Sequence, residues 1–237
     1  MRTIFLFILQ TFCIQSFGQT LKDCSSCSTE IIKAEQIKNL SIDEIRFMTN
    51  DLFARKGYQF KKGHIDFYYS NKEWYKPLEN NNKIIYTEIE KINIKTFQDR
   101  TIELKAEREN LLSKLKLFKS TLLRNDKEIL KSEFGFSTES ETNKLLLEVI
   151  SEINLDEVGW FKKQGHYQLK EDNLTETISY KILINDNQVS FVYDYDTGSE
   201  DVEYNMYPSD YNVEFTHYWE FEWKNDKLKF VRLNSAG

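Results

Sequence analysis

Apolar positions along this chain follow one period in its first two thirds and another near its end. Between Ser41 and Phe53, apolar residues fall at Ile42, Ile45, Met48, Leu52 and Phe53, the spacing of an amphipathic helix of about four turns. Leu40 stands before it as a staple residue, and Ser41 with Glu44 makes a capping box. Arg55 and Lys56 occupy the last turn, where positive charge complements the helix dipole. Gly57 follows, suited to the left-handed conformation that closes a helix. From Phe97 to Ser132 a charged stretch carries an apolar seam of Leu104, Leu111 and Phe118, with Leu115, Leu122 and Ile129 as a second series. That pattern predicts one long helix, or two joined near Asn125-Asp126, packed onto the next domain of the chain. About three heptads are too few to favour a coiled-coil dimer. Phe134-Gly135-Phe136 breaks the helix, and Thr138 with Glu141 reads as a second capping box. The helix it opens runs through Leu145, Leu146, Val149 and Ile150.

Beyond Trp160 the period drops to two. TISYKILI, the turn NDNQ and VSFVYDY read as one hairpin, and VEFTHYWEFEW, KNDK and LKFVRL as another. Helices first and antiparallel strands afterwards predict the α+β class. The expected organisation is a small helical N-terminal module, a long linking helix, and a domain of helix plus antiparallel β-sheet. That last layout is analogous to cystatin-like or NTF2-like folds, which host both enzymes and inert binding modules.

The first eighteen residues, MRTIFLFILQTFCIQSFG, combine Arg2, an apolar stretch from Ile4 to Ile14, and small residues at Ser16 and Gly18. This is the layout of a secretory signal peptide, with Gln19 as the first mature residue. Cys13 follows Phe12 and Cys24 follows Asp23, where a lipid-anchor signal wants a small residue. The expectation is an exported protein, periplasmic, secreted or surface-associated, with no membrane span after signal removal. Lys plus Arg number 32 against 38 Asp plus Glu, a formal charge of −6, which argues against a nucleic-acid partner.

Export leaves Cys24 and Cys27 as a CxxC pair. An oxidising compartment favours a local disulfide. A thioredoxin-like redox motif would need a preceding strand, and zinc would need further ligands that His64, His166 and His217, far apart in sequence, do not supply. Asp194, Asp196 and Gly198 resemble the opening of a calcium loop, but Ser199 stands where that loop needs glycine. His166 and His217 read as sheet histidines. No nucleophile elbow, zinc-protease motif or phosphate-binding glycine loop occurs. No catalytic residue, metal ligand or cofactor is therefore assigned.

The run FARKGY, Phe53 to Tyr58, ends the first helix, and Tyr58 and Phe60 can fold back on its apolar face. It also resembles the motif that names the YARHG domain. Asn50 ahead of it, Phe60 behind it, Trp74-Tyr75 with Pro77, and EKINI with Asn93 extend the resemblance over residues 40–98. The resemblance implies an exported bacterial protein and carries no known catalytic residue. Phe53 stands in place of the motif tyrosine and Lys56 in place of its histidine, so a proton-shuttling role for that position is not available here. A structural motif is the favoured reading. Ala54 permits close approach, and Arg55 can lie over Trp74 or Tyr75, or pair with Asp66, Glu73 or Glu90.

The expected divisions are 1–18 signal peptide, 19–39 a segment with CxxC, 40–98 the YARHG-like module, 99–133 a linking helix or helix pair, and 134–237 the α+β domain. DFYYSNKEWYKP and Asn80, Asn81 and Asn82 mix aromatic faces with amides, a composition that suits sugars. The expected function is non-catalytic binding of a cell-envelope glycan or protein partner through Arg55, Tyr58, Trp74 and Tyr75. The alternative is a cell-wall hydrolase using carboxylates gathered from separate strands.

Overall fold

The computed structural model describes residues 23–173, 176–197 and 213–237. The signal-peptide expectation, and the acidic stretch from Gly198 that resembles a calcium loop only at its opening, lie outside the described residues. The chain divides into two compact units, one of Met1–Leu40 with Ile45–Arg100, the other of Ser41–Glu44 with Thr101–Gly237.

The first unit holds α1 (Ala34–Ile37), most of α2 (Ile42–Arg55), α3 (Gly63–Ser70), a 3₁₀ turn at Asn81–Lys83 and the opening turns of α4 (Glu88–Leu123). At the start of α2 the Ser41 N–H and hydroxyl donate to Glu44 Oε2 at 2.9 and 2.7 Å, and the Glu44 N–H donates back to Ser41 Oγ at 3.3 Å. After α2, Gly57 takes φ +77°. α4 begins at Glu88, well before the seam that predicted it from Phe97. A second capping box explains the early start. The Thr87 N–H donates to Glu90 Oε2 at 2.8 Å, and Thr87 Oγ1 accepts from the Glu90 N–H at 3.2 Å.

In the second unit, α4 contributes Leu111, Leu115, Phe118 and Leu122 to the core, one stripe at helical spacing. The helix stops before Asn125, which has φ +53°, and Asp126 caps the next one by accepting from the Ile129 N–H at 3.1 Å. That helix, α5 (Lys127–Ile129), continues as a π-turn over Leu130–Phe134, closed by left-handed Gly135. Ile129 falls after the break and so leaves the seam; it is exposed. Helix α6 spans Glu141–Glu152. Its cap is Ser140, whose Oγ accepts from the Asn143 N–H at 3.1 Å, and not Thr138, which is buried. The Asn143 side chain donates to the Ser137 carbonyl at 2.7 Å and holds the approach that makes Ser140 the cap.

Six strands complete the unit: β1 (Gly159–Phe161), β2 (Gln164–Asp172), β3 (Thr177–Asn185), β4 (Gln188–Asp196), β5 (Glu214–Lys224) and β6 (Lys227–Ala236). They form one antiparallel sheet in sequential order, so the class is α+β. The β3–β4 and β5–β6 hairpins lie where the alternation placed them. Asn225 and Asp226 both have positive φ, the type I′ geometry that tight hairpins favour. β1 and β2 carry little apolar signal, because β2 turns only Gly165, Tyr167 and Leu169 towards the core. The inward face, with Tyr180, Ile182, Phe191, Trp219 and Phe221, packs against α4 and the Leu146, Val149 and Ile150 stripe of α6.

Candidate functional site

The functional candidates gather in the first unit around the end of α2. Arg55, one turn from the buried carboxylate of Asp51, donates from Nε to Asp51 Oδ2 at 3.0 Å. Its far end reaches Asp23 at 3.9 Å, and its guanidinium lies 4.5 Å from the centre of the Trp74 ring. Trp74 is thus the aromatic partner, whereas Asp66, Glu73 and Glu90 are not the ion partners. Asp51 wins because the helix places it at i−4, with no loop to order. Glu90 pairs instead with Lys56, Nζ to Oε2 at 3.3 Å.

These two carboxylates do more than neutralise the motif cations. Asp51 accepts the Cys24 N–H at 2.8 Å, and Glu90 accepts the Ser28 hydroxyl at 2.7 Å. Asn93, on the same face of α4 as Glu90, accepts the Ile32 N–H at 2.7 Å and donates to the carbonyls of Cys27 and Glu30, both at 2.8 Å. Cys24 and Cys27 are disulfide-bonded and fully buried. The CxxC loop is therefore gripped by three buried polar side chains, two of them held by Arg55 and Lys56. Sequence reasoning missed this grip. Asp51 was visible as the i−4 partner of Arg55, and Glu90 as the last residue of the box TEIE, but neither spacing names a loop that lies 27 residues from the one and 62 from the other.

Behind the motif, rings stack in a chain. Phe53 meets Tyr58 at 5.6 Å, Tyr58 meets Phe60 at 5.1 Å, and Phe60 stacks on Tyr69 at 5.1 Å. Tyr69 in turn abuts Tyr68 at 5.0 Å and Trp74 at 6.0 Å. Burial, and then the charge of Asp51, push the Tyr69 hydroxyl above the ordinary tyrosine range, so this ring is a neutral pillar. The Tyr75 hydroxyl donates to the Tyr58 carbonyl at 2.8 Å. Asn81 closes the same loop by a two-way contact with the Gln59 backbone, accepting at 2.7 Å and donating at 3.0 Å. Of the four proposed binding residues, Tyr75 is buried and Tyr58 half-buried, while Trp74 is 40% exposed with Arg55 on one face. Phe67 and Tyr68, on α3, are 73% and 42% exposed.

Burial alone would raise the Glu90 carboxyl, but the Thr87 N–H, Ser28 and Lys56 together hold it below the usual carboxylate value. A depressed folded-state value means that the unfolded chain binds the proton more readily, so stability rises with pH across that interval. The contribution of Glu90 is complete above its unperturbed value of 4.5 and is lost as the pH falls below it. Acid titration of the wild type should therefore show a loss of first-unit stability below that pH. Glu90→Gln should flatten the loss, and an equally steep profile in that variant would remove Glu90 as its source.

In the second unit, His217 Nδ1 lies 2.7 Å from Ser235 Oγ, and burial pushes the imidazole below its ordinary value. His166 and His64 are exposed. Among the described residues no group of three or more His, Cys, Asp or Glu is placed to hold a metal. No helix among them is long and apolar enough to cross a membrane.

The YARHG domain model matches residues 23–101. The match begins at Asp23, ahead of the residues that carried the resemblance, and so takes in the loop gripped by Asp51, Glu90 and Asn93. No curated protein and no solved structure matches the chain.

Proposed function

We propose, with residues 23–101 as a YARHG domain for premise, that this is an exported, non-catalytic protein that binds a cell-envelope glycan on Trp74. The carrying observation is the state of that ring. Trp74 is 40% exposed, yet Arg55 covers one face at 4.5 Å and the Tyr69 ring lies 6.0 Å away at 62° to it. An exposed indole held in a fixed plane offers a sugar a flat apolar face at little conformational cost. Arg55 orients the ring, and the Tyr58–Tyr75 hydrogen bond holds the loop that carries it. The apolar stretch from Ile4 to Ile14 supports export. The disulfide fits an oxidising compartment.

Co-sedimentation with isolated cell-wall sacculi tests the reading. The protein is expected to pellet without releasing sugar, and a folded Trp74→Ala variant to lose about tenfold or more in affinity. Release of soluble sugar would replace the binder with the hydrolase alternative. A protein left in the supernatant without release would overturn the glycan and leave a protein partner.

A further inference from the structure

We infer that the solvent face of the sheet carries a separate binding groove suited to a neutral oligosaccharide. This site lies in the second unit and does not depend on the reading of Trp74. Strand alternation puts Gln188 and Ser190 of β4, Glu220 and Glu222 of β5, and Arg232 of β6 on the face opposite the core. The register sets Gln188 beside Glu222 and Ser190 beside Glu220, with Arg232 beyond Glu220 on the other side. Together they span three strands, roughly 10 Å from β4 to β6.

A flat polar face would simply be solvated. Here the pairing slips between Glu220 and Phe221, and Val231 is the extra residue on β6, 56% exposed. Such a bulge bends its strand and re-aims side chains. The result is a groove of about 410 Å³ lined by these residues, within the size range of small-molecule sites.

The lining chemistry narrows the ligand. Both oxygens of Glu220 are held from β6, Oε2 accepting from Arg232 Nε at 2.7 Å and Oε1 from Asn234 Nδ2 at 2.6 Å. A carboxylate with two such donors keeps further lone pairs for a ligand. The lining also offers the Arg232 terminal nitrogens as donors, the Gln188 amide and Ser190 hydroxyl as both donors and acceptors, and the Glu222 carboxylate as an acceptor. Arg232 balances Glu220, and Lys229 stands opposite Glu222 in the β5–β6 pairing, so the face carries no surplus charge of either sign to select an ionic ligand. Val231 is the exposed apolar contact, too little for an apolar compound but enough for the C–H face of one sugar ring. Sugar hydroxyls, each both donor and acceptor, complement this set. An extended peptide would instead pair along a sheet edge.

The test is a titration of the ¹⁵N-labelled protein with cellotriose, maltotriose and chitotriose, each to about 10 mM, the range of millimolar sites. With at least one sugar, saturable shifts are expected at the amides of 187–190, 220–222 and 231–232. Arg232→Ala and, separately, Glu222→Gln should weaken that binding at least tenfold; both side chains are on the surface, so neither change threatens the fold. Arg232→Lys should also weaken it, since lysine keeps the charge but loses the planar fork. No shift with any of the three sugars overturns the inference. So do shifts indifferent to both substitutions, or shifts confined to the amides around Trp74, which would support the first site alone.

Discussion

Phe118→Ala is expected to destabilise the sheet-bearing unit by about 3–5 kcal/mol. Phe118 is fully buried, and its ring meets four others: Phe221 at 4.8 Å, Phe134 at 5.0 Å, Phe136 at 5.7 Å and Phe191 at 5.9 Å. Those partners come from β5, the π-turn, the segment after Gly135, and β4. Removing one ring thus opens a cavity that several rigid elements surround, and such a cavity collapses poorly. Hydrogen exchange of the β4 and β5 amides measures the effect directly. Leu123→Ala, on the same helix but 48% exposed, should stay within about 0.5 kcal/mol of wild type. Equal protection in the two variants would mean that α4 is no part of the sheet's core.

The second large effect is expected at Gly57. An alanine held at φ +77° costs about 1–2 kcal/mol for the left-handed conformation. Its Cβ would also lie 2.8 Å from the Lys76 carbonyl oxygen and 3.0 Å from Leu78 Cγ, adding about 1–3 kcal/mol of overpacking. The Leu78 N–H donates to the Gly57 carbonyl at 2.8 Å, so relief by moving that segment would break a hydrogen bond near Trp74. The denaturant midpoint of Gly57→Ala should fall, and weaker pelleting with sacculi should accompany it. Gly57→Asn separates the two causes. Asparagine tolerates the left-handed region but presents the same Cβ to Lys76, so it recovers only the conformational part. An unchanged midpoint in Gly57→Ala would remove both.

Taken together, the contacts explain why the FARKGY run has so little freedom. Arg55 and Lys56 each hold a buried carboxylate, those carboxylates hold the CxxC loop, and Gly57 permits the backbone approach of the segment after Trp74. Lysine can serve where the family motif has histidine, because the contact made is a cation against a buried Glu90. A titrating imidazole is not required for it.

What could be read from the residues alone was local. The Ser41–Glu44 box, the Gly57 stop, the break at Phe134-Gly135-Phe136, the α4 seam and the two long hairpins all depend on neighbours within a few positions. There a side chain's preference acts on its own backbone. Even locally, competition misled. Ser140 took the cap expected of Thr138 because Asn143 bonds back to Ser137, and α4 began at Glu88 because Thr87 and Glu90 cap it. The tertiary structure alone decided the rest. It showed that Asn93 reaches three backbone groups of the CxxC loop, that Trp74 faces solvent while Tyr75 is buried, and that Val231 is the extra residue facing the groove. Each of these depends on which distant segments meet. A hydrogen bond or a buried ring is worth the same at any sequence separation, so no period or spacing along the chain could announce them.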